Sequence, residues 1–183
     1  MNIFYLDKDV KKCAQMHVDK HCVKMILETA QLLSTAHRVL NGTQVEGVST
    51  SGRKTKRWVL PDERENILYS ATHINHPSAV WVRQSIWNYV WLADLLNNLC
   101  AEYTYRYGKV HKIEAEGLLN TLLINIPKGI PDKPFTEPTP AMPEQYKVPG
   151  DSVQSYHNYY NGEKTRMFAW KKRDVPFFIN KTI

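Results

Sequence analysis

Acidic residues are the minority charge in this chain: 18 Asp and Glu stand against 24 Lys and Arg in 183 residues, a net charge of +6 with a pI near 9.2. That balance disfavours cationic partners and favours nucleic acid, nucleotides or phosphorylated ligands. Cysteine is scarce. Cys13, Cys22 and Cys100 are odd in number, show no C-x-x-C spacing and fall at apolar helical positions. The expectation is buried free thiols in a reducing compartment, without a disulfide framework. No run of eighteen apolar residues occurs, and the short Met1–Leu6 stretch runs straight into charges, unlike a secretory leader. A cytoplasmic protein with no membrane partner is expected. A glycine-rich phosphate loop, a G-x-S-x-G elbow and a catalytic-cysteine context are all missing, which argues against the usual nucleoside triphosphatases and esterase-like hydrolases. There is no internal repeat and no second-domain boundary, so residues 1–183 are expected to form one domain.

What is present reads as mainly α, a single compact helical domain of three to five helices. Hydrophobic residues make up 43% and charged ones 23%, an ordinary globular balance. Asn2 to Leu6 reads as a short buried extended segment. Asp9 can then cap a helix running from about Val10 to Leu40 and ending at Asn41-Gly42. Residues 42–57 read as a mobile basic loop that ends in Arg53-Lys54-Thr55-Lys56-Arg57. A small hairpin is expected to pair Arg57–Leu60 with Ile67–Ser70. Pro77 opens a second long helix through Tyr107, hydrophobic almost all round and therefore the central core element. A third helix is expected from His111 to Ile124, another from Asp151 or Ser152 to Tyr160, and a short one within Glu163–Arg173. Residues 126–150 hold seven of the ten prolines and are expected to wrap as extended chain, with the length of a functional loop or lid.

Along the first helix, His17, His21, Lys24, Glu28, Gln31 and Thr35 fall within a strip roughly 80° wide, the rest being largely apolar. Histidines one turn apart are an uncommon way to solvate a helix. Three readings stay open: a plain polar surface, a strip facing a ligand, or a metal site completed by His73 or His76. The metal reading is the weakest, because zinc proteases need glutamate directly after the first histidine and Val18 stands there. Without a metal, Lys24 beside Glu28, with His17 and His21 near, suits acid–base or covalent amine chemistry, and equally suits a surface ion pair.

Two further constellations carry chemistry. Glu102 and Arg106, one turn apart among tyrosines and followed by His111, could orient a guanidinium toward phosphate, or form a buried structural pair. Tyr156, Tyr159, Tyr160 and Lys164, then Trp170, Lys171 and Arg173, interleave rings with cations as nucleic-acid surfaces do, although some of the rings must be core. Arg57 adds a cation from the basic loop.

The run Asn2-Ile3-Phe4-Tyr5-Leu6-Asp7, with Asp19-Lys20-His21 to Gln31, His76-Pro77, Glu102-Tyr103 and Tyr159-Tyr160, resembles a family of bacteriophage and large-DNA-virus proteins that brings no activity with it. A looser resemblance, through Ala14, His17 and Tyr159-Tyr160-Asn161-Gly162, is to the pyrimidine-dimer DNA glycosylases typified by phage endonuclease V. It implies three main helices and an attack on the sugar by an N-terminal amine, assisted by a first-helix glutamate and arginines. The matching glutamate position falls on Lys24, with Glu28 one turn later, and the arginine positions fall on Val23 and Leu27. Two functions are therefore expected as alternatives. One is a viral DNA glycosylase or lyase on altered pyrimidines, with Lys24 or the N-terminal amine as nucleophile, Glu28 and His21 moving protons, and no cofactor. The other is an anti-defence protein in the host cytoplasm that sequesters or cleaves a small (cyclic) nucleotide immune messenger.

Overall fold

The computed structural model describes residues 1–180. The chain begins extended, and Ile3, Phe4, Tyr5 and Leu6 are all buried. Burying four consecutive side chains requires neighbours on every side. Helices α2 (Asp19–Asn41), α5 (Ile86–Tyr107) and α8 (Ser152–Glu163) provide them. The Phe4 ring meets His21 of α2 and Tyr156, Tyr159 and Tyr160 of α8. Tyr5 instead packs on Trp91 of α5 and on Phe135. The opening segment is thus a core element, and it fixes where residue 1 lies.

The helix expected over Val10–Leu40 is two. α1 (Val10–Met16) starts at Asp9, whose carboxylate accepts the Lys12 N–H at 2.9 Å, and it stops before His17. His17 and Val18 are extended, and α2 begins at Asp19. The break is held from a distance. Arg106 of α5, fully buried, donates to the carbonyls of Gln15 and His17, so the last turn of α1 gains donors that a continuous helix would supply itself. Periodicity could not register this, because the hydrophobic face carries on across the break.

The other long helices divide for local reasons. Ser85 interrupts Pro77–Tyr107 by capping α5, accepting the Trp87 N–H, after α4 (Pro77–Arg83) has ended. Gly117, at φ +86°, separates α6 (Lys112–Ala115) from α7 (Leu118–Ile124). With α3 (Arg64–Ile67), the described residues hold eight α-helices where three to five were expected. Glu163–Arg173 forms only a single 3₁₀ turn, Thr165–Met167. The class itself stands: mainly helical, with one small antiparallel hairpin.

That hairpin is displaced from its expected position. β1 (Thr43–Val48) pairs with β2 (Lys54–Val59), Thr43 opposite Val59 and Val48 opposite Lys54, so the basic "loop" is largely strand. Ile67–Ser70 takes no part. It leaves α3 as extended chain gripped by the Arg38 guanidinium, which donates to the carbonyls of Tyr69, Leu68 and Glu65 and also to Trp58 of β2. Two of the four carbonyls that this buried arginine takes, those of Leu68 and Tyr69, belong to the segment expected to pair.

Residues 126–150 run extended, as their prolines demand, apart from a 3₁₀ turn at Glu144–Tyr146 and a bridge between Val148 and Asp151. The segment is a strap pinned along its length. The Pro131 carbonyl takes the Ile86 N–H, Thr136 exchanges hydrogen bonds with Asn88, and the Trp81 indole donates to the Thr136 carbonyl. Asn2 donates to the Ala141 carbonyl at 2.8 Å. Among the described residues no helix is long and apolar enough to cross a membrane.

Candidate functional site

The turn of α2 just after the break places His21, Lys24 and Glu28 one above another. Three other elements close a cavity of about 270 Å³ over them: the opening segment with Met1, Asn2 and Phe4, the strap with Ala141, and the end of α8 with Tyr159 and Lys164. Glu28 is the convergence point. Its carboxylate lies 3.8 Å from the Met1 α-amine through one oxygen and 3.3 Å from the Lys24 ammonium through the other. Glu28 is 13% exposed and Lys24 67%, so the carboxylate forms the floor and the lysine the rim. Lys164 stands 4.5 Å above the Tyr159 ring with its nitrogen 3.3 Å from the phenol oxygen. One carboxylate thus faces three primary amines, an excess of positive charge in a narrow space.

The walls are stacked and hydrogen-bonded to one another. His21 stacks on Phe4 at 4.1 Å and pairs through Nδ1 with the Tyr160 hydroxyl at 2.8 Å. Burial, with smaller contributions from His17, Lys164 and Lys24, pushes its pKa down to about 3, so it is neutral at pH 7. Burial likewise raises the Tyr160 phenol well above its ordinary range, which keeps the proton in that pair. Asn2 accepts from the Tyr156 hydroxyl at 2.7 Å while donating to Ala141, which locks strap, opening segment and α8 together.

His17, fully buried at the break, does not line the cavity. Its Nδ1 donates to the Cys13 carbonyl at 2.7 Å, Nε2 has no partner among the described residues, and burial takes its pKa down to about 4. Gln31, half-buried one turn beyond Glu28, is also outside it. Tyr156 and Tyr160 stand behind the wall, whereas Tyr159 and Lys164 are in it.

The Glu102–Arg106 pair is structural. Arg106 bonds Glu102 at 2.8 Å and Asp19 at 2.9 Å besides the two α1 carbonyls, and no surface is left for a phosphate. Arg173 closes on the other Glu102 oxygen at 2.9 Å and stacks 4.0 Å over Tyr105. Burial alone would raise the Glu102 pKa, but hydrogen bonds from Arg173 and Arg106 overcome it and hold the carboxyl below its usual range. His111 caps α6, accepting the Ile113 N–H, and the Trp170 indole donates to the Met16 carbonyl. The Lys171 backbone N–H bonds Asp19, and its ammonium lies 5.3 Å over Tyr107. Arg57 is exposed on β2 and does not line the cavity. Of the residues expected to form a C-terminal nucleic-acid surface, Trp170, Lys171 and Arg173 thus brace the α1–α2 break, while Tyr159 and Lys164 line the cavity.

Sequence reasoning missed Phe4 and Ala141. Phe4 was one apolar residue in a buried run, and Ala141 enters through its position on the strap; neither carries a local signal. A larger concavity of about 600 Å³, lined by residues such as Gln145, Asn158 and Phe177, contains no lysine, arginine or carboxylate, and its Asn161 is spent on the backbone of His157, Phe178 and Asn180. Among the described residues no three His, Cys, Asp or Glu side chains are grouped as metal ligands; His76 instead caps α4, accepting the Ser78 N–H. Compared with protein-family models, with curated proteins and with solved structures, the chain matches none.

Proposed function

We propose that this cavity performs amine chemistry on a single deoxyribose unit of DNA, as a glycosylase or abasic-site lyase on altered pyrimidine nucleotides. The observation that carries the reading is the Glu28 carboxylate within 4 Å of two primary amines, the Met1 α-amine and Lys24, at the floor of a cation-rich cavity. Volume agrees with a small unit: about 270 Å³ lies just below the roughly 300–1,000 Å³ of pockets for drug-sized ligands, room for an extruded sugar. The resemblance to pyrimidine-dimer glycosylases agrees in chemistry, with Glu28 one turn from the position that resemblance assigns to glutamate.

In the lyase version Glu28 takes a proton from the ammonium beside it, the freed amine adds to C1′ of the ring-opened sugar, and Glu28 returns that proton to the departing hydroxyl, so that water leaves, a protonated imine forms and Glu28 is a carboxylate again. The Glu28 carboxylate takes the C2′ proton, the C3′–O bond breaks, and the 3′ phosphate departs with that electron pair. Water then hydrolyses the imine and frees the amine. In the glycosylase version the amine first replaces the base at C1′, and the base leaves with a proton. Lys164 offers its charge to phosphate, Tyr159 its ring to the sugar or base, and neutral His21 with Tyr160 keeps the wall in place.

Strand cleavage of a duplex with one abasic site tests this. Wild-type chain nicks it by β-elimination, and Glu28→Gln slows nicking by about 10²–10⁴-fold, the usual weight of a positioned general base. No nicking by the wild type, together with a thermal shift on adding mononucleotides or cyclic dinucleotides, favours the second reading. In that reading the same small cationic cavity with its Tyr159 ring sequesters a free nucleotide.

A further inference from the structure

A cluster of four cations on the hairpin plays no part in the cavity. β2 and the residue before it carry Arg53, Lys54, Lys56 and Arg57, all exposed, and the paired strand answers with Glu46 alone. Among the described residues none of the four makes an ion pair. Alternation puts Lys54 and Lys56 on one face of the ribbon and Arg57 on the other. Both faces are open, since β1 is exposed except at Gly47.

An isolated two-stranded hairpin is marginal in water, so its root must be held. It is: Arg38 donates to the Trp58 carbonyl at 2.8 Å, Glu65 accepts the Leu60 N–H, and a Cβ at Gly42 would meet Trp58 at 3.1 Å. The tip is polar. Ser49, Thr50, Ser51 and Gly52, the last at φ +78°, make the turn, and the exposed Val48 before it is a single apolar side chain among them. A ribbon two strands wide, about 5 Å between axes, fits the roughly 12 Å major groove of duplex DNA. Cations on both faces then reach the phosphates on both walls.

We propose that the β1–β2 hairpin is an arm that lies in the groove of duplex nucleic acid. Lys54 and Lys56 meet phosphates of one strand, and Arg57 with Arg53 meets those of the other. The inference deepens, and rests on, the reading of the cavity as a DNA site. Glu28 and the arm's root are joined by α2, and the thirteen steps from Glu28 to Asn41 span about 20 Å at 1.5 Å each. At 3.4 Å per base pair that is the length of about six base pairs between the cavity and the root of the arm.

The test is anisotropy of a labelled 30-base-pair duplex with a central abasic site, titrated from 50 to 200 mM KCl. The quadruple variant Arg53→Ser, Lys54→Ser, Lys56→Thr, Arg57→Thr is compared with wild type. Four lost phosphate contacts lower the slope of log K against log[salt] by about 3.6, roughly a hundredfold smaller affinity change over that range. A charge-preserving variant, Arg53→Lys with Lys54→Arg, Lys56→Arg and Arg57→Lys, keeps the slope. Circular dichroism and an unchanged melting temperature certify the fold of both. An unchanged slope in the quadruple variant overturns the arm, as does loss of anionic-vesicle binding with no loss of duplex binding. β-Elimination on a single-stranded abasic trinucleotide, too short to reach the hairpin, separates the two claims. Failure there in wild type with a reduced slope in the variant refutes the cavity reading and supports the arm; cleavage there with an unchanged slope refutes the arm alone.

Discussion

Arg106→Met keeps most of the buried stem and removes the guanidinium, and its cost follows from what is left behind. Glu102 retains Arg173 and Asp19 retains the Lys171 N–H, so neither carboxylate is abandoned entirely. The carbonyls of Gln15 and His17 lose their side-chain donor at a buried helix end. Removing one member of a buried ion pair costs about 3–5 kcal/mol, and the surviving partners put this case toward the lower end. In a chain of this length each kcal/mol moves the melting temperature by about 2–4 °C, so a drop of roughly 6–15 °C is expected. Scanning calorimetry and urea unfolding at pH 7 measure it. Coupling above about 1 kcal/mol in a cycle with Glu102→Gln identifies the network as the source. An unchanged melting temperature accompanied by a tenfold loss of DNA affinity refutes the reasoning and returns Arg106 to the role of phosphate ligand.

Acid stability follows from the buried histidines. Burial pushes His17, His21 and His37 down to about 4, 3 and 4, so below about pH 6.5 the unfolded chain binds protons that the folded chain refuses. Stability is full above pH 6.5 and falls toward pH 4, by up to about 4 kcal/mol per pH unit if all three act; a flat urea profile between pH 7 and 4.5 contradicts this. Gly162 sits in α8, where alanine ordinarily gains about 1 kcal/mol, but a Cβ there would lie 2.2 Å from the Tyr146 ring. Gly162→Ala is therefore expected to stabilise in a Tyr146→Ala background and not in wild type, by urea denaturation. The hairpin variants above add the salt-slope prediction.

How far the sequence was legible depends on where each signal originates. Cap residues and periodic apolar faces act within one turn, so Asp9, Asp151 and Gly108 mark their helix ends and the apolar helix at the centre of the core was visible. The α1–α2 break was not, because it is imposed by Arg106, ninety residues away in sequence, on a stretch whose own pattern stays helical. The same break separates His17 from the strip it seemed to share with His21. His21, Lys24 and Glu28 are brought together because they follow the break on one unbroken helix. The hairpin was misread because Arg38 claims the Ile67–Ser70 segment through backbone carbonyls, which leave no trace in side-chain pattern. Glu102 and Arg106 were correctly paired by spacing, but spacing alone does not distinguish a pair aimed at a ligand from one aimed at a helix end.

The central claim is that an amine beside Glu28 forms an imine with a DNA sugar. Borohydride reduction of the chain incubated with an abasic duplex, followed by digestion and peptide mass mapping, reads it directly. The account predicts a reduced sugar adduct on the Met1 α-amine or on Lys24, with the same amine still marked in Glu28→Gln although elimination there is slow. No adduct, or an adduct confined to lysines outside the cavity such as Lys109 or Lys128, contradicts it.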